Sequence, residues 1–313
     1  MRAAPMAISQ QPEKSMYSCT ANSTVAATRF GPLMLPVIFL MAAGPLARWK
    51  EADPAALCRE LLPAFALAAI AAAALPLAMG EYLVWPSLGI FLAFWVLFAV
   101  IHEARADARH APGLLAGLRR ESASWWGMQL AHLGIGVTVF GIAMVMGYQA
   151  ERDVRMMPGD IVTVGPATFR FDGVNESRGP NYLSREATIT LLEKGREIGR
   201  LTPEKRDYFS SRGMPMTEAA ISHRLTGDLY AALGNPTSDG GWVVRAYSKP
   251  FVLCIWIGTL LMALTYAGYM LLARQILGGR HKAVAVAALL FFLNGGLGFL
   301  YDCDLAFTDN FAR

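Results

Sequence analysis

Residues 127–147 read GMQLAHLGIGVTVFGIAMVMG, an uncharged apolar run with one histidine, His132, near its start. A helix of about 20 apolar residues crosses the hydrocarbon of a bilayer. An ionisable side chain inside such a helix is costly and points to a function. At about 100° per residue the run predicts two packing faces. Gly127, Ala131, Gly134, Thr138 and Gly141 make a small-residue seam where a second helix can approach. Gln129, His132, Gly136, Ala143 and Gly147 share another face, with Gly136 one turn beyond His132 and a space of little bulk beside the imidazole. Leu133, Val137, Phe140 and Met144 fill the sector between and are expected to face lipid. Residue chemistry leaves two readings of His132 open, a hydrogen bond to a neighbouring helix or a metal or cofactor ligand.

Working outward, the 313 residues are 54% hydrophobic and 17% charged, with positive mean hydropathy. That excludes a disordered or nucleic-acid-binding class and predicts a membrane protein with a soluble portion. Cys19, Cys58, Cys254 and Cys303 are scattered, with no CxxC pair for thiol redox work, a zinc knuckle or covalent haem attachment.

Residues 1–30 are expected to form an extracytoplasmic tail; residues 1–28 lack the apolar core of a signal peptide. Apolar runs at 31–47, 61–79, 83–101, 127–147, 251–273 and 283–301 predict about six spans, four within 31–147 and two within 251–301, before a tail at 302–313. Pro32, Pro36 and Pro45 should kink the first. The loop at 48–60 carries Arg48, Lys50 and Arg59; that at 102–126 carries Arg105, Arg109, Arg119 and Arg120; that at 274–282 carries Arg274, Arg280 and Lys282. If the spans alternate, all three loops share one side. The positive-inside rule makes that side cytoplasmic, with residues 148–250 outside.

Residues 148–250 are the soluble domain. Short β-type runs at 161–172, 186–193, 197–201, 228–233 and 242–247, bounded by glycines, predict an all-β antiparallel sandwich or barrel. Its 14 Lys and Arg against 13 Asp and Glu give no nucleic-acid footprint. Two stretches are dense in charge, ERDVRMMPGD (151–160) and Glu204, Lys205, Arg206 with Tyr208. Each reads as an ion-pair network or as a site for the carboxylates of an amphiphilic ligand. No Walker loop, nucleophile elbow, HExxH or dinucleotide fingerprint occurs.

The succession HLGIGVTVFGIA, ERDVRM, FDGV, GPNY, ATI, EKRDY, MTEAAI, DLYAALG and W-VR-Y-KPF resembles the C-terminal part of the CcmF/NrfE-type cytochrome c haem lyases. The earlier FGPLMLP and GPLARWK are similar to that family's preceding helices, so the likeness runs over roughly residues 30–275. The resemblance implies a multi-pass subunit of the bacterial inner membrane with residues 148–250 in the periplasm. Such subunits take haem from a haem chaperone and attach it to apocytochrome c. It also implies a haem b held in the membrane by two histidines, one of them in an HLG context that corresponds to His132. His132 is then the metal ligand, and Gly136 part of the cofactor-binding face.

The likeness has gaps. The tryptophan-rich WWD signature, its two flanking histidines and the second membrane histidine have no counterpart here. Trp125-Trp126-Gly127 is not that signature; His102, His110 and His281 fall in expected cytoplasmic loops; His223 matches no family ligand position. Residues 276–313 also depart from the family pattern. Three functions follow as expectations. One is a haem-lyase component that needs a separate N-terminal, WWD-containing partner. Another is an inactive remnant or assembly scaffold, and a third is a membrane-anchored sensing or transport subunit. Membrane lipid is the remaining expected partner, and nucleic acid is not one.

Overall fold

The computed structural model describes residues 34–42, 54–108, 113–210 and 215–276. The chain falls into two compact units, one of residues 1–41 and 266–313 and one of residues 42–265. Of the first, residues 34–41 form a helix, α1, and residues 266–276 are the last turns of α6. The rest of this account concerns the second unit. The expected span at 283–301 and both tails lie outside the described residues.

Among the described residues four helices are long and apolar enough to cross a membrane: α2 (Pro54–Met79), α3 (Val84–Asp107), α5 (Ala123–Tyr148) and α6 (Val252–Ile276). A short helix, α4 (Leu114–Leu118), lies between α3 and α5. Two boundaries differ from the sequence reading. α2 opens at Pro54, a residue suited to a first turn because its missing N–H is unpaired there anyway. α3 runs on to Asp107 and so takes in His102, which had been expected in a loop. An apolar run marks the part of a helix within hydrocarbon; Glu, Ala and Arg beyond it still propagate the backbone ladder.

The small-residue seam of α5 meets α6. A Cβ at Gly134 would lie 2.8 Å from Gly258 O, and one at Gly141 2.7 Å from Ile255 Cγ1. One at Gly258 would collide with Thr138. Gly127 has no such neighbour, so the seam closes only from Gly134 onward. On the opposite side of α5 lies α3, running antiparallel: Gly147 abuts Pro86, Ala143 abuts Gly89, and Gly136 abuts Leu97.

The sector expected to face lipid is partly inside. Met144 is buried with Ile90, Ala72 and Ala143, and the Phe140 ring meets Phe94 at 5.7 Å and Phe251 at 5.3 Å. A helical wheel orders the faces of one helix but does not say how many neighbours it has.

Residues 150–250 form a β sandwich. One sheet has the order β1 (Ala150–Met156), β10 (Trp242–Pro250), β9 (Gly227–Pro236), β8 (Ala220–Ser222). The other has the order β2 (Ile161–Val164), β3 (Ala167–Arg178), β4 (Tyr182–Glu193), β6 (Glu204–Tyr208), β7 (Met216–Glu218), with β5 (Arg196–Leu201) also on β4. Every pairing is antiparallel. All five expected runs lie in strands, the first split into a hairpin at Gly165, whose φ of 58° suits glycine. Alternate residues Phe169, Phe171, Ile189, Leu191, Leu229, Leu233, Val244 and Ala246 point inward and exclude water. β1 follows α5 directly, β10 leads into α6, and these two strands pair over seven residues from Ala150↔Ser248 to Met156↔Trp242. The sandwich is thereby tied to adjacent helices at both ends.

Candidate functional site

α5 places His132. Ser122 caps the helix by accepting from the Trp125 N–H at 3.2 Å, which frees the following turns to continue into the apolar run. His132 Nδ1 lies 2.8 Å from the Met128 carbonyl one turn earlier. A carbonyl can only accept, so Nδ1 carries the proton and Nε2 is left as the lone-pair nitrogen. Metal-binding imidazoles are commonly oriented by such a bond on the other ring nitrogen. The expected hydrogen bond to another helix is replaced by one within α5.

Gly136 does not border an open space. A Cβ there would lie 2.9 Å from Leu97 Cγ and 3.4 Å from Ala93 O, so this glycine serves the close approach of α3. The room expected there for a flat macrocycle is filled by Leu97. His132, half-buried, lies at the edge of the α3-facing side, next to the sector of α5 that carries Met146, which is 66% exposed. On the same face as His132, Gln129 is 5% exposed, and its Nε2 is buried without a hydrogen-bond partner among the described residues.

The antiparallel register with α3 brings its C-terminal part to this level. There His102 Nε2 is also buried, 3.6 Å from Glu60 Oε1 and too far for a hydrogen bond. Two orphaned polar atoms and an imidazole with a free lone pair suit a polar group docking at this end of the bundle. Among the described residues no three His, Cys, Asp or Glu side chains converge on a metal position.

The charged stretches of the soluble domain are ion-pair networks. ERDVRM is strand β1, where Arg155 donates to Asp239 at 3.0 Å and Arg245 bridges to Asp153 at 3.1 Å. EKRDY is strand β6. There Arg206 donates to Glu204 at 2.8 Å and Arg185 bridges both Glu176 and Asp207 at 3.1 Å. The hydrogen bonds of Glu204 from Arg206 and Ser184 hold its carboxyl below the usual range. Burial pushes the Lys205 ammonium down, where it donates to Asn235 Oδ1 and Gly234 O. The carboxylate-binding reading has no support in these arginines, which are already engaged.

A second polar constellation escaped the sequence reading. His223 Nδ1 lies 3.0 Å from Asp228 Oδ2, and that carboxylate, 4% exposed, also accepts the Arg224 N–H at 3.3 Å. The only signal was a histidine five residues before an aspartate across a Thr-Gly turn, with the aspartate hidden in an apolar strand.

Residues 147–250 match the family model described as the CcmF C-terminal beta-sandwich. The chain aligns with that portion of CcmF-type proteins. The cytochrome c-type biogenesis protein CcmF of Pseudomonas aeruginosa is 45% identical over 236 residues, 75% of this chain and 36% of its own length. CcmF of Escherichia coli is 41% identical over 238 residues, 76% of this chain and 36% of its own length. NrfE of Haemophilus influenzae is 28% identical over 172 residues, 55% of this chain and 25% of its own length. A solved cytochrome c haem lyase CcmF shares the fold with a TM-score of 0.59 at 22% identity, over 78% of this chain and 39% of that one. The chain thus spans between a quarter and somewhat over a third of the length of these curated relatives, as a multi-pass membrane protein carrying the sandwich.

Proposed function

We propose that this chain contributes the C-terminal part of a membrane haem lyase in cytochrome c maturation, working with a separate WWD-containing N-terminal partner. The observation that carries the reading is His132. It lies in a membrane-crossing helix, its Nδ1–H is held by Met128 O, and its Nε2 keeps a free lone pair. The names of the relatives support the process, and the residues fit an axial ligand better than they fit a complete pocket. His132, through Nε2, and a histidine of the partner would hold the iron of a b-type haem, and that group would supply redox chemistry.

The residues of this chain then do three things. Met128 O fixes the ring orientation of His132. Leu97 and Ala93, packed on Gly136, close the α3 side of the helix, so that an incoming group approaches from the flank that carries Met146. Gln129 offers a buried amide N–H to that group. Attachment of haem joins a cysteine thiol of apocytochrome c to a vinyl group, adding S–H across the double bond, and it asks mainly for positioning of two reactants. The haem chaperone and the apocytochrome are expected to dock on the sandwich side. With the arginine-rich loops cytoplasmic, that side would be the periplasm of a bacterial inner membrane.

Co-expression with a WWD-containing partner in cells lacking their own lyase tests this. Holocytochrome c should form with both chains and with neither alone. Maturation that proceeds equally without this chain would overturn the proposal.

A further inference from the structure

Where the sandwich meets the membrane, the turn between β8 and β9 is held against the start of α6. The Phe251 N–H donates to Thr226 O at 3.2 Å, and a Cβ at Gly227, whose φ is 148°, would lie 2.7 Å from Lys249 O. The turn therefore cannot drift from the helix. Between them lies a notch of about 250 Å³ lined by His223, Arg224, Leu225, Asp228, Leu253 and Trp256. Its floor is apolar and open. Leu225 is 81% exposed and Trp256 58% exposed, in the first turns of a helix that enters the bilayer at Val252. Its rim carries the His223–Asp228 pair and the Arg224 guanidinium. Arg224 spends one nitrogen on Glu193 at 2.7 Å and keeps further donors of its five.

We propose that this notch binds a phospholipid of the leaflet on the sandwich side, its acyl chain on Leu225, Leu253 and Trp256 and its phosphate against Arg224. The occupant is argued from continuity. The floor belongs to a membrane-crossing helix at its point of entrance, where Trp is favoured because one end is wet and the other apolar. A leucine four-fifths exposed there is covered by lipid rather than by water. The lipid-bound turn would fix the height of the sandwich above the bilayer, independently of any haem chemistry.

The test places Leu225→Cys, with the native cysteines changed to serine, in phosphatidylglycerol-containing nanodiscs and labels it with an environment-sensitive fluorophore. Nitroxide attached near the lipid headgroup should quench this label strongly and should leave a label at Ser177→Cys, at the far end of the β3–β4 hairpin, unquenched. Equal quenching at both sites would overturn the proposal. A second readout needs no cysteine removal. Brominated phospholipid should quench tryptophan emission of the unaltered chain, and Trp256→Phe should remove part of that quenching; no change on Trp256→Phe counts against the site. In native mass spectrometry Arg224→Gln should lower retained phosphatidylglycerol on the order of tenfold, the loss of one charge-assisted bond. Undiminished retention would contradict the phosphate contact.

Discussion

The sandwich and the helical bundle treat their buried polar atoms differently. In the sandwich, Thr190 Oγ1 donates to Asp172 at 2.5 Å, Ser184 Oγ to Glu204 at 2.9 Å, and Lys205 to Asn235 and Gly234. In the bundle, Gln129 Nε2 and His102 Nε2 are buried with no hydrogen-bond partner among the described residues. An unmade bond of this kind costs about 1–3 kcal/mol. The sandwich is a closed unit whose sequence answers to its own core. The bundle has an end, at the level of His132, that calls for another group.

The largest expected effect tests whether the sandwich is self-sufficient. Residues 150–248, expressed alone under reducing conditions, should give a mainly β circular dichroism spectrum with a cooperative melt. Phe171→Ala, emptying a fully buried position, should cost about 3–5 kcal/mol. A helix-dominated spectrum, or a melt unmoved by Phe171→Ala, would break the contrast between closed and open halves.

An intermediate effect probes the α3–α5 contact. Gly136→Leu drives a side chain into Leu97 and Ala93 O, an overpacking of about 1–3 kcal/mol. Membrane levels of the chain, followed by immunoblot, should fall with it. Levels equal to the unaltered chain would return Gly136 to the open, cofactor-facing role first read from the sequence.

The smallest effect lies in the surface network. The folded pKa of Glu204 is depressed, so its contribution is present above the ordinary carboxylate pKa of about 4.3 and is lost as pH falls through the lower folded value. Glu204→Gln should lower the sandwich's stability near neutral pH by roughly 0.2–1 kcal/mol, the range of exposed pairs. The two melting curves should converge in acid; a gap that widens there would contradict the sign.

Much of this was legible beforehand because it follows from period and length. The five alternating or apolar runs of the sandwich are strands, and the runs at 61–79, 83–101, 127–147 and 251–273 lie in helices. β1 and β6 were read as charge clusters because ERDVRM and EKRDY carry their inward positions on Val154 and on the aliphatic stem of Lys205. The place of His132 inside a long apolar helix could be read from the run that surrounds it. The filling of the Gly136 side by Leu97 could not, because a glycine invites a helix as readily as a ligand. Nor could the burial of Phe140 and Met144, which depends on Phe251 and Ile90 far along the chain.

The central claim is that His132 is an axial haem ligand in the complex with an N-terminal partner. An absorption spectrum of that purified complex, with and without His132→Ala, tests it most directly. The unaltered complex should show a bis-imidazole b-type spectrum. His132→Ala should lose haem far more than it loses membrane level, because the seam at Gly134, Thr138 and Gly141 is untouched, and added imidazole should restore part of the signal. Haem content and spectrum unchanged by His132→Ala would refute the assignment and leave His132 as a histidine bonded only to its own helix.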